Sequence, residues 1–307
     1  MNCSSKIVVF DLDETLGYFV EFGMFWDSLK NYYKHTLNKD KDKDKDKNLI
    51  FDQTFFNKAL DLYPEFTRPN IINILNYLKR KKQDQFCHKL MIYTNNQGPP
   101  EWAQQIKNYF EDKLNYKLFD QIIGAFKING KQVELCRTTH TKTHKDLISC
   151  TKIPDTTQIC FIDDVFHPGM SNDNIYYIHI KPYSYDLSFE TIVDRFVESG
   201  LLTPKPPTSM KGELITAMKR YAYTYVEKVP LEQEIDIMLS KQILHHLHVF
   251  FNKKTNKSDK VKSETIKSET IKSEMIKSET IKSETVKNNK QNKIKKNKTM
   301  KIKPLHA

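Results

Sequence analysis

The sequence predicts an α/β fold, a parallel sheet with helices packed on both faces. Apolar runs of strand length recur between residues 7 and 180, and segments with apolar residues at helical spacing stand between them. Strands that alternate with helices give a parallel sheet, because each crossover helix returns the chain to the same end of the sheet. The 307 residues and 36.2 kDa suffice for one well-buried α/β domain with accessory segments.

The elements follow in order. Ile7–Leu12 (IVVFDL) is the first strand, with helical patterns over Met24–Leu37 and Phe51–Tyr63 behind it. Pro69–Lys82 places Ile71, Ile72, Leu75 and Leu78 at helical spacing, with proline tolerated in the first turn. Lys89–Thr94 (KLMIYT) is the second strand, and Pro100–Leu114 sets Trp102, Ile106, Tyr109, Phe110 and Leu114 on one helical face. Gln121–Phe126 reads as a third strand, and Gly124–Gly130 as a hairpin-like stretch. Thr143–Asp146 (THKD) has the form of a capping box that opens a helix. Gln158–Ile162 and Asn174–Ile180 are the last two strands, and Phe189, Ile192, Val193, Phe196 and Val197 mark a closing helix. Pro204–Pro207 breaks the chain before two amphipathic helices over about 211–228 and 231–250. The expected organisation is a catalytic-type domain over 1–200, a helical C-terminal extension over 205–251, and a tail over 252–307.

Two segments are too polar to pack. Lys39–Lys47 alternates lysine and aspartate, and Lys262–Val286 repeats five pentads, KSETI KSETI KSEMI KSETI KSETV. A period of five matches neither a helix face nor a strand, so the sequence predicts disorder for 39–47 and for the whole low-complexity tail 252–307. The tail from Asn252 holds seventeen lysines and six acidic residues, which accounts for the entire net charge of +11. Residues 1–251 are therefore neutral and give no electrostatic case for nucleic-acid binding by the fold itself. The tail's charge suits an acidic partner, a nucleic acid, a nuclear-targeting signal or plain solubilisation.

No run of eighteen apolar residues exists, so no membrane-spanning helix is expected and no membrane partner. The opening MNCSSKIVVFDLDE lacks the pattern of a signal peptide. Cys3, Cys87, Cys136, Cys150 and Cys160 are odd in number and form no CxxC pair, so they read as reduced thiols of a cytoplasmic or nuclear protein. His245, His246 and His248 read as a solvated helix face, and Tyr221, Tyr223 and Tyr225 as packing residues.

Open α/β sheets present ligand sites at the carboxyl ends of their strands. The first strand ends in Asp11-Leu12-Asp13-Glu14-Thr15, the second in Tyr93-Thr94-Asn95-Asn96, and the fourth in Asp163-Asp164. Lys142 precedes the helix opened by Thr143, and Lys145 lies one turn into it. Carboxylates gathered without a partner repel one another, whereas a hard divalent cation among them makes the arrangement tolerable, and an all-oxygen set suits Mg²⁺. A lysine beside such a centre suits an arriving phosphoryl group, and a carboxylate is a competent nucleophile towards phosphorus.

DLDETLG (11–17), IYTNN (92–96), a lysine before a helix, and CFIDD (160–164), in this order, resemble the four motifs of the haloacid-dehalogenase-like (HAD) superfamily. The match spans roughly residues 6–165, and DxDxT is the form found in its phosphatases. The Arg68-Pro69 pair opening a helix is similar to the branch containing RNA polymerase II C-terminal-domain phosphatases and NLI-interacting-factor-like proteins, although that branch ends its fourth motif in Asp-Asn where this chain has Asp163-Asp164. The resemblance implies a Rossmann-like HAD fold and a Mg²⁺-dependent phosphomonoester hydrolase. The insert after the first motif tends to form strands in that branch, whereas the residues here predict a small helical insert that carries the charge run. The resemblance also implies Asp11 as nucleophile forming an aspartyl-phosphate, Asp13 as acid then base, and Thr94 with Lys142 (alternatively Lys145) holding the phosphoryl oxygens. Mg²⁺ would bind Asp11, the backbone carbonyl of Asp13 and Asp163, with Asp164 an outer or alternate ligand. The shortage of cap segments suits a large substrate such as a phosphoprotein. A catalytically silent binding protein and a polynucleotide end phosphatase are the alternative expectations.

Overall fold

A computed structural model describes residues 5–37, 51–202 and 207–252. The charged run at 39–47 and the tail beyond residue 252 lie outside the described residues. Strands β1 (Lys6–Phe10), β2 (Lys89–Tyr93) and β3 (Gln121–Ile123), a two-stranded hairpin β4 (Lys127–Ile128) and β5 (Lys131–Gln132), and strands β6 (Gln158–Asp163) and β7 (Ile175–His179) follow one another along the chain. The main sheet is parallel throughout, in the order β3-β2-β1-β6-β7. The architecture is Rossmann-like α/β. The chain builds outward from β1 through β2 to β3, then crosses back to β6 on the other side, so the strand order reverses at β1.

Alternation of side chains along β1 feeds two cores. Val8 and Phe10 join Leu90, Ile92, Cys160, Ile162, Tyr176 and Ile178 on one face, while Ile7 and Val9 join Met91, Tyr93, Ile159, Phe161 and Tyr177 on the other. The second face is covered by α5 (His144–Thr151) through Leu147 and Ile148, with Met170 of a short 3₁₀ turn. Both faces are dry, which is why the strands read as continuous apolar runs.

The larger core takes α1 (Val20–Leu37) and α2 (Gln53–Leu60), together with α3 (Ile71–Gln83), α4 (Pro100–Leu114) and α6 (Phe189–Glu198). Phe22 of α1 lies at ring-centroid distances of 5.3 Å from Phe56, 6.0 Å from Trp26 and 5.9 Å from Tyr63. The insert after β1 is thus a packed aromatic layer. Helices α7 (Ser209–Lys219) and α8 (Pro230–Asn252) send Met210, Leu214, Met218, Leu247 and Phe250 into the same core. The extension over 205–251 therefore shares the core of the preceding residues.

Three expectations need correction. The helix expected to run to about residue 228 stops at Lys219. Residues 220–229 instead form an irregular strap, because the Tyr221 hydroxyl donates to Asp27 (2.5 Å), the Tyr223 hydroxyl to Asp186 (2.7 Å) and the Val226 amide to Asp186 (2.8 Å). Of the histidines read as a solvated face, His245 and His248 are exposed as expected, but His246 is half-buried, with its Nδ1 2.6 Å from the Tyr176 hydroxyl. Cys136 and Cys150, read as reduced thiols, form a disulfide, because the chain after the β4–β5 hairpin returns beside α5 with Cα atoms 5.0 Å apart. Cys87 and Cys160 are free and buried. Among the described residues no helix is long and apolar enough to cross a membrane.

The loop after β1 is pinned by Gly17, which bridges to both Asp13 and Thr67. A Cβ there would stand 2.4 Å from the Phe66 carbonyl oxygen, a backbone atom that cannot swing aside. Gly17→Ala is expected to cost about 1–3 kcal/mol by overpacking, read as a lower urea midpoint at unchanged slope.

Candidate functional site

The sheet delivers the site at its strand-order reversal, where open α/β sheets hold ligands. Phe10 of β1 pairs with Ile162 of β6, and the Asp11 amide donates to the Ile162 carbonyl (2.9 Å). Asp11 and Asp163 therefore emerge side by side as the first polar residues beyond adjacent apolar strands. Thr94 follows β2 on the other flank of β1.

Lys142 enters from the loop before α5. Its ammonium, 1% exposed, donates to Asp11 Oδ1 and to Asp163 Oδ2, the latter at 2.7 Å. Lys145 is exposed on the helix, so of the two lysines the structure brings only Lys142 to the carboxylates. Thr143 caps α5 by accepting the Asp146 amide (3.0 Å). The expected reciprocal half of the capping box is absent, because the Asp146 carboxylate turns to Thr138 and accepts from its amide (3.0 Å) and hydroxyl (2.8 Å). That contact ties the loop carrying Lys142 back onto its helix.

Carboxylate oxygens of Asp11, Asp163 and Asp164 lie within 4.8 Å of one another, all buried. Asp163 Oδ1 accepts the Val165 amide (2.8 Å), and its Oδ2 also faces His167 Nε2 at 3.5 Å. Asp164 Oδ1 accepts the Thr15 hydroxyl (3.0 Å). Asp13 stands apart from this group: its carboxylate accepts from Asn96 Nδ2 (2.8 Å). The Asn96 amide in turn donates to Thr94 Oγ1 (2.9 Å), which leaves the threonine proton for another acceptor.

Two buried arginines hold the loops. Arg68 donates from Nε to the Thr15 carbonyl (2.7 Å) and from Nη2 to the carbonyls of Glu14 (2.6 Å) and Lys181 (3.0 Å). Arg137 reaches the carbonyls of Gly124 (2.7 Å), Thr94 (3.2 Å) and His140 (3.1 Å). Each fork replaces the hydrogen bonds that irregular backbone lacks. The role of Arg68 as a strut gives a physical reason for the Arg-Pro signal. Neither the strut Arg137 nor His167 was singled out from the sequence, and only the i,i+4 spacing of His167 from Asp163 could have pointed to it.

Burial raises the Asp11 carboxyl well above the ordinary carboxylate range, with Lys142 opposing and the neighbouring aspartates adding to the rise. Asp163 is held below that range, since Lys142 and His167 outweigh its own burial. Burial, then the Asp163 charge, pushes Asp164 up to about 6. Burial also raises Asp13, against its Asn96 hydrogen bond. Burial and the charges of Asp164 and Asp13 push Glu14 up to about 7. On Lys142 burial works downward, but the two aspartates raise it further, so it stays charged.

The donors fit a hard cation. Three buried carboxylates converge, two of them on the Lys142 ammonium, and such an oxygen-only set could hold a hard cation such as Mg²⁺. The site opens into a cleft of about 1700 Å³ walled by α1, the 94–102 segment, the β4–β5 hairpin and the strap. No family model, curated protein or solved structure matches the chain.

Glu14 and Asp164 bind protons more tightly folded than unfolded, so without divalent cation stability falls as pH rises from about 4 through 7. Glu14→Gln is expected to flatten that slope and to be more stable than wild type at pH 7.5, as measured by urea unfolding at pH 4.5, 6 and 7.5.

Proposed function

We propose that the chain is a Mg²⁺-dependent phosphomonoester phosphatase of the HAD type. The observation that carries this reading is the division of labour between two aspartates two residues apart. Asp11 points at Lys142, Asp163 and Asp164, whereas Asp13 is held outside that group by Asn96. A nucleophile belongs at the cation, and an acid-base group belongs beside it, at the ester oxygen.

An Asp11 carboxylate oxygen attacks phosphorus, the bond from phosphorus to the ester oxygen breaks, and Asp13 gives its proton to the departing alkoxide. Burial keeps that proton available, since the Asp13 carboxyl is raised. Water then attacks the aspartyl-phosphate while Asp13 takes its proton, the Asp11–phosphorus bond breaks, and inorganic phosphate leaves with Asp11 restored. The Lys142 ammonium and the Thr94 proton hold phosphoryl oxygens throughout. Asp11 and Asp163, with Asp164 beside them and the Asp13 backbone carbonyl, would hold Mg²⁺, which supplies neutralising charge to the transferring group.

The cleft bears on substrate class. Eight carboxylates line it against three lysines. A polynucleotide would be repelled, while a phosphorylated side chain on a polypeptide with cationic neighbours would not.

Hydrolysis of an aryl phosphate is expected to require Mg²⁺ and to vanish in Asp11→Asn, and Asp13→Asn is expected to lower kcat by about 10²–10⁴. Absence of turnover in wild type across pH 5–8 and several divalent cations would assign the fold to binding instead.

A further inference from the structure

The disulfide between Cys136 and Cys150 has a third neighbour. Glu134, Cys136 and Cys150 are all half-buried, and a carboxylate oxygen and the two sulfurs lie within 4.8 Å of one another. Glu134 Oε1 stands 3.1 Å from Cys136 Sγ. A disulfide sulfur carries no proton, so in that state the carboxylate oxygen faces sulfur lone pairs with no hydrogen between them. Cys150 lies in the last turn of α5, the end that carries partial negative charge, and no basic residue stands in that turn. Carboxylate, sulfurs and helix end gather electron-rich groups in one place, and a cation among them offsets that.

The fold holds these residues in place independently of the covalent bond. Glu134 Oε2 accepts the Gly124 amide (3.2 Å), and the Gln121 side-chain amide donates to the Cys150 carbonyl (3.1 Å), so both hang on β3 and the residue after it. Arg137, next to Cys136, grips the Gly124 carbonyl (2.7 Å) from the same side of the chain. Zn–S bonds of about 2.3 Å set two tetrahedral thiolates about 3.8 Å apart. Side-chain rotation over Cα atoms 5.0 Å apart reaches that separation.

We propose that Glu134 and the reduced Cys136–Cys150 pair form a Zn²⁺ site, separate from the aspartate cluster. Two thiolates and one carboxylate suit a borderline-soft ion, unlike the oxygen-only aspartates, and three protein ligands leave the fourth tetrahedral position to water. The chemistry balances in two steps. A phosphine reductant takes the oxygen of one water and becomes its oxide, while the two hydrogens of that water convert the disulfide into two thiols. Zn²⁺ then binds both sulfurs, and the two thiol protons leave to solvent. The site joins the ends of the segment that carries Arg137 and Lys142, so Zn²⁺ closes that segment where the covalent bond is absent. It rests on no part of the phosphatase reading.

The test is anaerobic titration of the full-length protein with Co²⁺, a coloured stand-in for Zn²⁺, before and after reduction by a phosphine and with Mg²⁺ in excess. The protein carries Cys3→Ser throughout, since Cys3 lies outside the described residues and must not supply a sulfur. The reduced protein should gain a sulfur-to-cobalt charge-transfer band that saturates at one Co²⁺ per chain and is bleached by Zn²⁺, and the oxidised protein should show none. Co²⁺ held by aspartates alone gives no such band. Cys136→Ser and, separately, Cys150→Ser should abolish the band at one equivalent. Glu134→Gln keeps both sulfurs, so it should keep the band and lower Zn²⁺ affinity at least about tenfold, a loss that even outer partners of a metal produce. That variant keeps the test valid if either serine variant impairs folding. Asp11→Asn should change neither band nor affinity, which separates failure of this site from failure of the phosphatase. Absence of the band in the reduced protein, or unchanged Zn²⁺ affinity in Glu134→Gln, overturns the proposal. A band that survives Cys136→Ser would place the metal on the buried Cys87 or Cys160 and would overturn it equally.

Discussion

The site depends on one buried contact, the Lys142 ammonium held between Asp11 and Asp163. Taking three charges out of water is expensive, and the attraction repays it only if the geometry is well supported. Much of the surrounding structure supplies that support. The sheet fixes both aspartates at the ends of neighbouring strands. Thr143 caps the helix behind the lysine, and Asp146 ties the lysine's loop to Thr138. Arg137 braces the same loop against the carbonyl of Thr94, so the lysine and the threonine are linked through one guanidinium. On the proposed reading, an ammonium and a cation would share the carboxylates with a phosphoryl group, each offsetting charge the others would leave bare.

The walls of the cleft come from segments far apart in sequence. Helix α1 is set by the aromatic layer around Phe22, and the strap by tyrosine hydroxyls on Asp27 and Asp186. Tyr18 and Tyr223 also meet across the cleft, with oxygens 2.8 Å apart. The insert and the C-terminal segment therefore lock to each other over the site, and no cap closes it among the described residues. On the proposed phosphatase reading, an open, acid-lined groove would suit polypeptide chains more than small metabolites.

Much of this was legible in the sequence because it is local. Strands buried on both faces show as apolar runs, and a carboxylate just past such a run must sit at the sheet's edge, so Asp11, Asp13, Asp163 and Asp164 could be named. Choosing between Lys142 and Lys145 needed the loop geometry, since one residue points inward and the other lies a turn along an exposed helix face. The helix ending at Lys219 was overextended because its successor has helical spacing, and what ends it is hydrogen bonding to residues nearly two hundred positions away. The Cys136–Cys150 pair was invisible for a similar reason. A separation of 14 residues carries no motif, and only the fold returns one sulfur to the other. Arg137 left no signal because a strut to backbone carbonyls needs no particular neighbours in sequence.

The central claim is that Asp11, Asp163 and Asp164 share one hard cation beside Lys142. Isothermal titration of the metal-free protein with Mg²⁺ tests it most directly. The account predicts one saturable site per chain in wild type and its loss in Asp163→Asn, with both proteins folded by circular dichroism. Absence of saturable binding in wild type, or binding unchanged in Asp163→Asn, would contradict it.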